Sequence, residues 1–143
     1  MTIKQLSIFV ENKPGKLVEA LGTLCVSGID LRALSLADTS DFGILRVIVD
    51  KPAEALVELR NAGYLVKSSE VIPVAVNDKP GGLAAVLRVL ADAGVDVEYT
   101  YAFVAHSRDR AYVILRVTDN EAAIGILKEN DISLLSAEEV YGM

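Results

Sequence analysis

The feature that most constrains this chain is a phrase written twice. Residues Glu11 to Leu17 read ENKPGKL, and residues Asn77 to Leu83 read NDKPGGL, 66 positions further on. The same shift carries Leu6, Ile8 and Val10 onto Ile72, Val74 and Val76. Alternation of that kind predicts a half-buried strand running into the phrase in each copy. The shift also carries Leu17, Leu21 and Leu24 onto Leu83, Leu87 and Leu90. Steps of four and three put those leucines on one face of a helix that opens at the phrase. Gly28-Ile29-Asp30 and Gly94-Val95-Asp96 follow, each glycine suited to ending a helix before an extended run. A chain that repeats strand, corner, helix and stop in register is two copies of one unit.

The second halves match as well. Ile44-Leu45-Arg46-Val47 returns as Ile114-Leu115-Arg116-Val117, now 70 residues on, so four extra residues are expected near His106 to Asp109. A second helix carries Leu56 and Leu59 in one copy and Ile124 and Leu127 in the other. Closing strands are expected near Leu65 to Ser69 and Leu134 to Ala137. The order is strand, helix, strand, strand, helix, strand, twice over. Two right-handed crossovers place both helices on one face of a four-stranded antiparallel sheet. The fold class is therefore α+β, two ferredoxin-like βαββαβ units in tandem, residues 1–69 and 70–143. Only Ser68-Ser69-Glu70 links them, too short for independent tumbling, and units of about 70 residues gain from packing together.

Composition removes several classes of function. The net charge of −6, with no basic cluster, argues against nucleic acid. Hydrophobic residues make up 52% of the 143, yet no uncharged apolar run reaches the ~18 residues of a membrane span. The N-terminal stretch lacks the apolar core and cleavage site of a signal peptide. A single cysteine, Cys25, fits a reducing cytoplasm, and its apolar helical setting predicts a buried, packed thiol. The single histidine, His106, stands in a polar hairpin, a surface position rather than a metal or catalytic one. No cofactor or metal is expected. Neither a nucleophile elbow nor an H-E-x-x-H helix occurs. An acyl-phosphate hydrolase of this fold needs an arginine in the first loop, and that loop offers only lysines.

The phrase itself supports two readings. Pro-Gly between a strand and a helix makes a good corner and needs no further purpose. The same corner also exposes N–H groups at a helix start, and a glycine there admits a carboxylate to close range. Asn12-Lys13-Pro14-Gly15-Lys16-Leu17 and Asp78-Lys79-Pro80-Gly81-Gly82-Leu83, with Gly28-Ile29-Asp30 and Gly94-Val95-Asp96, resemble the motif of ACT domains. Phe42 to Arg46 and Tyr99 to Phe103 look like stretches of a stand-alone tandem subgroup. The resemblance spans the chain and leaves no room for an attached enzyme domain. It implies a non-enzymatic, allosteric regulatory protein that binds a small amino acid where two ACT units meet, with a homodimer and a regulated enzyme as partners. The alternative is a structural or partner-binding subunit that modulates an enzyme without a ligand of its own.

The family often has asparagine at the positions of Asp30 and Asp96, so an ionised aspartate there accepts but does not donate. Asp78 in place of Asn12 would repel a ligand carboxylate, which makes the first phrase the better site. Tyr99, Tyr101 and Phe103 alternate along one strand, read as lying on the side of Val97; packing and ligand contact both remain open for them. Arg46 and Arg116, mid-strand, are expected to pair with acidic neighbours rather than to recognise a carboxylate.

Overall fold

A computed structural model describes residues 1–38 and 41–143. The chain divides into two compact units, one made of Lys4–Ser69 with Tyr141–Met143, the other of Glu70–Val140 with Met1–Ile3. Short terminal segments thus change units relative to a division at residue 69.

In the unit containing Lys4–Ser69, β1 (Ile3–Glu11) leads into α1 (Lys16–Val26), followed by β2 (Leu31–Asp38), β3 (Phe42–Val49) and α2 (Pro52–Asn61). The sheet runs β2-β3-β1, antiparallel throughout. The Phe9 N–H donates to the Leu65 carbonyl at 3.1 Å as the chain enters β4 (Val66–Asn77). One sheet face supplies Leu6, Ile8, Val10, Leu45 and Val47, and Ala20, Leu24, Ala55 and Leu59 come down from the two helices to meet them. Leu24 and Leu59 are buried to 1% and 0% exposure, each contributing about 1.5–3 kcal/mol.

The other unit repeats the plan. The second half of β4 leads into α3 (Gly82–Asp92), then β5 (Val97–Ala102), β6 (Arg110–Val117) and α4 (Asn120–Glu129). The order is β5-β6-β4, with β7 (Ser133–Leu134) antiparallel to β4. Val86, Leu90, Ala123 and Leu127 pack on Ile72, Val74, Leu115 and Val117.

Four details depart from the sequence reading. Ser68-Ser69-Glu70, read as the link between the copies, lies within β4, a single 12-residue strand in which the unit boundary falls. The closing strand expected at Leu134 to Ala137 is only Ser133–Leu134, because Ser136 starts a helix, α5 (Ala137–Tyr141). The Ser136 hydroxyl accepts from the Glu139 N–H while the Glu139 carboxylate accepts from the Ser136 N–H, a reciprocal capping box.

Third, β3 and β6 correspond at an offset of 68, not 70. Ile8 pairs with Leu45 and Val74 with Val113, so Leu45 matches Val113, just as Leu59 matches Leu127. The Ile-Leu-Arg-Val match is two residues out of step, the β5–β6 hairpin is two residues longer than β2–β3, and Arg46 and Arg116 are not equivalent. A two-residue slip preserves the alternation of faces, so hydrophobic pattern alone does not reveal it. Fourth, Cys25 is exposed. The stripe of Ala20 and Leu24 faces the sheet, and the next residue along an α-helix turns about 100° away.

The glycines separate packing from backbone freedom. A Cβ on Gly82 would lie 1.9 Å from the Asn77 carbonyl oxygen, whereas one on Gly22, inside α1, would meet nothing within 4 Å. Gly82→Ala is therefore expected to cost about 1–3 kcal/mol, and Gly22→Ala to add about 0.5–1 kcal/mol. Urea midpoints at constant m-value check both directions.

Candidate functional site

Each corner joins a strand to a helix in the same way. Lys13 N–H donates to Glu11 carbonyl and Lys16 N–H to Lys13 carbonyl, at 2.9 and 3.2 Å. In the second corner Lys79 N–H donates to Asn77 and Gly82 N–H to Lys79, at 2.9 and 3.0 Å. Asn12 N–H reaches the Asp41 carbonyl, and Asp78 N–H the Asp109 carbonyl. Gly15 and Gly81 hold φ at 85° and 86°, a left-handed conformation that costs a residue with a Cβ about 1–2 kcal/mol. Both glycines sit at the N-cap, and neither helix has a side-chain cap. The leading N–H groups of α1 and α3 therefore receive nothing from a capping side chain.

The surroundings of the two corners differ. Beside the first lies a cleft of about 590 Å³. Asn12, Lys13, Pro14, Gly15 and Leu17 line one side of it; Val10, Leu36, Asp38 and Gly43 line the other, with Glu11 at its edge. The Asn12 amide donates to the Asp38 carboxylate at 3.1 Å, which leaves the amide oxygen and the second carboxylate oxygen to face elsewhere. Lys13 pairs with Glu11 at 3.2 Å and Lys16 with Glu19 at 3.5 Å, all well exposed and worth little to stability. Space beside Gly15 is open, with no atom within 4 Å of an added Cβ. Val10, Leu17 and Leu36 give the cleft an apolar floor. A group at Gly43 larger than hydrogen would press on Leu36 Cδ1 at 3.0 Å, so the glycine lets Leu36 lie flat there.

At the second corner the matching positions are Asp78 and the exposed Val104, so no equivalent of the Asn12–Asp38 bond forms. Gly82 replaces Lys16 and is buried against the Asn77 carbonyl. Lys79, Pro80 and Gly81 are exposed, and Leu83 packs into the core of its unit.

Asp30 and Asp96 lie away from the corners of their own units. Asp30 precedes β2, eight residues before Asp38, about 26 Å along an extended strand. Its carboxylate accepts from Arg32 at 2.7 Å, and Arg32 also donates to the Tyr141 carbonyl at 2.8 Å. Asp96 is exposed at the start of β5. Asp38, Leu36 and Gly43 were missed by the sequence reading. Nothing local marks them; the pairings Asp38 to Gly43 and Val10 to Gly43 bring them beside the phrase.

The aromatic stripe lies on the face opposite the one assigned from alternation. A bulge between Val97 and Tyr99 adds a residue, so Val97 pairs with Val117 on the helix side while Tyr99 pairs with Arg116 on the other. Tyr99 and Tyr101 stack at 6.4 Å, and Phe103 meets Tyr112 edge-on at 6.1 Å. Arg116 pairs with Glu98 at 3.5 Å and donates to the Glu70 carbonyl, the structural role expected of it. His106 is exposed in its loop. Among the described residues no grouping of His, Cys, Asp and Glu suits a metal ion, and no helix is long and apolar enough to cross a membrane.

Two tandem βαββαβ units with one glycine corner apiece define a class. The whole chain, residues 1–143, matches the family model of the ACT domain pair, and the protein belongs to that family. Its structure is similar to that of protein BT0572 from Bacteroides thetaiotaomicron, with 38% sequence identity, a TM-score of 0.93 and coverage of 100% of this chain and 98% of that one. It is also similar to the ligand-free regulatory subunit of aspartate kinase from Thermus thermophilus, at 20% identity and TM-score 0.63, covering 88% and 91% of the two chains. The regulatory subunit of aspartate kinase from Thermus flavus gives 19% and 0.61, covering 88% and 90%. At those identities the likeness is one of fold. No curated protein matches the chain.

The Asn12–Asp38 contact ties the corner to the β2–β3 hairpin. A double-mutant cycle with Asn12→Ala and Asp38→Ala is expected to give a coupling of about 0.5–1.5 kcal/mol in urea unfolding. A coupling near zero would mean that the corner and the hairpin hold their positions independently.

Proposed function

We propose that this chain is a non-enzymatic, cytoplasmic regulatory protein that binds one small amino acid at the Asn12–Gly15 corner. The observation that carries the reading is the convergence of three chemistries in one cleft. The start of α1 has no side-chain cap and lies beside a space that Gly15 keeps clear, which suits a carboxylate. Asp38, beside Asn12, is placed to accept from an ammonium group. Val10, Leu17 and Leu36 suit a modest apolar side chain.

In this reading a facing ACT unit, contributed by a second copy of the chain, covers the open side of the cleft and offers its Asp30 to the amine. Asp30 would then leave its bond to Arg32. A ligand held by both units favours their apposed arrangement by its differential affinity for that state, and a regulated enzyme reads the change. The second corner, with Asp78 in place of the amide and no partner at Val104, is the weaker site. The same fold serves as a regulatory subunit in the two Thermus proteins, an analogy that leaves this chain's own partner to be identified.

Calorimetry with the twenty common amino acids tests the site. One or a few apolar amino acids are expected to bind once per chain. Asp38→Asn should weaken binding about tenfold or more, the scale of one charge-assisted hydrogen bond. Gly81→Ala, at the other corner, should leave it unchanged. Equal affinity in Asp38→Asn and the parent protein would remove the cleft from the function.

A second reading rests on a separate observation. Leu34 and Leu36 are 39% and 52% exposed on one face of β2, an apolar surface that suits a protein partner. No thermal stabilisation by any amino acid, together with stable co-purification of an enzyme through that face, would favour it.

A further inference from the structure

The two units carry one more unequal pair of grooves, on the far side of each corner. In the first, Phe42, Ala62, Gly63, Tyr64 and Leu65 line a recess beside α1 whose charged groups, Glu11, Lys16 and Glu19, come from β1 and α1. Two residues of longer hairpin aside, the matching positions in the second unit are Arg110, Asn130, Asp131, Ile132 and Ser133. Duplicated geometry has acquired a guanidinium, an amide, a carboxylate and a hydroxyl around one groove of about 280 Å³. Val86 and Val89 of α3 form its apolar wall.

Two of these side chains, the exposed Asp131 and the half-buried Arg110, pair with no opposite charge among the described residues. Asp131 sits at φ 57°, the one non-glycine residue at positive φ among those described. Its N–H and that of Ile132 close α4 by bonding the Lys128 and Leu127 carbonyls, the same stop that Gly28, Gly63 and Gly94 provide for α1, α2 and α3. Glycine would do this work more cheaply, and the Asp131 carboxylate makes no ion pair among the described residues. Arg110 likewise has no acidic partner there. Among the described residues its guanidinium makes a long 3.5 Å bond to the Ala75 carbonyl. Two opposite charges therefore line a single groove without pairing to each other. A strained residue retained beside two unpaired charges points to a function for the groove.

We infer that this groove is a second binding site, distinct from the cleft at Asn12, for a compact zwitterion. Arg110 receives the carboxylate, with the Ser133 hydroxyl beside it, and Asp131 receives the ammonium group. At less than half the volume of the first cleft, it suits the smallest amino acids.

The test is a 15N-detected NMR titration of the full chain with glycine, with acetate and methylammonium as half-ligands. Glycine is expected to shift the amides of Asn130 to Ser133 and the Arg110 Nε–H saturably, and each half-ligand to bind at least tenfold more weakly. Arg110→Gln should weaken glycine binding tenfold or more. Asp131→Gly should do the same while raising the melting temperature by about 2–8 °C, because it relieves the backbone. That opposite movement of binding and stability excludes a merely structural role. Shifts confined to Asn12 to Leu17 would overturn this site while supporting the first cleft. Unchanged affinity in both variants, or no saturable shift at the groove, would also overturn it.

Discussion

Each unit must turn a strand into a helix within four residues, and the rest of the architecture follows from how that turn is made. The strand has to leave the sheet and place α1 or α3 back across the face it came from. A backbone reversal this tight needs one residue at positive φ. Gly15 and Gly81 supply it, and two N–H to carbonyl bonds, one before each glycine and one spanning it, hold the turn. With the corner set, the helix axis and the phase of its apolar stripe are set too. Ala20 and Leu24, or Val86 and Leu90, then meet the sheet in the one orientation that buries them. The corner also leaves a helix start without a cap. A structural necessity and the proposed recognition surface are therefore the same few atoms.

Because the corner is duplicated, its neighbours do the discriminating. The backbone bonds of both corners match one for one, yet the first sits beside an Asn–Asp contact and an apolar floor. The second has Asp78, Val104 and the buried Gly82 in the corresponding places. Lys16 carries a Cβ where Gly82 has none, so the second corner is drawn closer to its own strand end than the first. The grooves on the far side differ as well: the positions of Phe42, Gly63 and Leu65 in the first unit are Arg110, Asp131 and Ser133 in the second. Two copies of one scaffold thus present unlike concavities. Repetition secures the fold, and substitution around it differentiates the surfaces.

Much of this was written in the sequence because the signals are local. Period-two alternation, a helical stripe and a stop glycine each require only a dozen residues, and their recurrence 66 positions apart made the repeat, the ferredoxin-like order and both corners legible. The capping box at Ser136 and Glu139 was equally local and went unread, which cost the fifth helix. Cys25 shows the limit of an apolar neighbourhood as a guide: being one position past a core leucine is enough to turn a side chain outward.

Sequence alone, then, determined the elements, their order and the placement of a left-handed glycine at each turn, since these depend on steric limits and on burial within a few turns of chain. Only the folded chain decided which strands pair in which register. The bulge after Val97 moved three aromatic side chains to the other face, and a two-residue slip between Arg46 and Arg116 left the alternation untouched. Asp38 joined Asn12, and Arg110 came to share a groove with Asp131, through contacts between residues far apart in the chain. Hydrogen-bond register is a property of two strands at once, and no single stretch of sequence carries it.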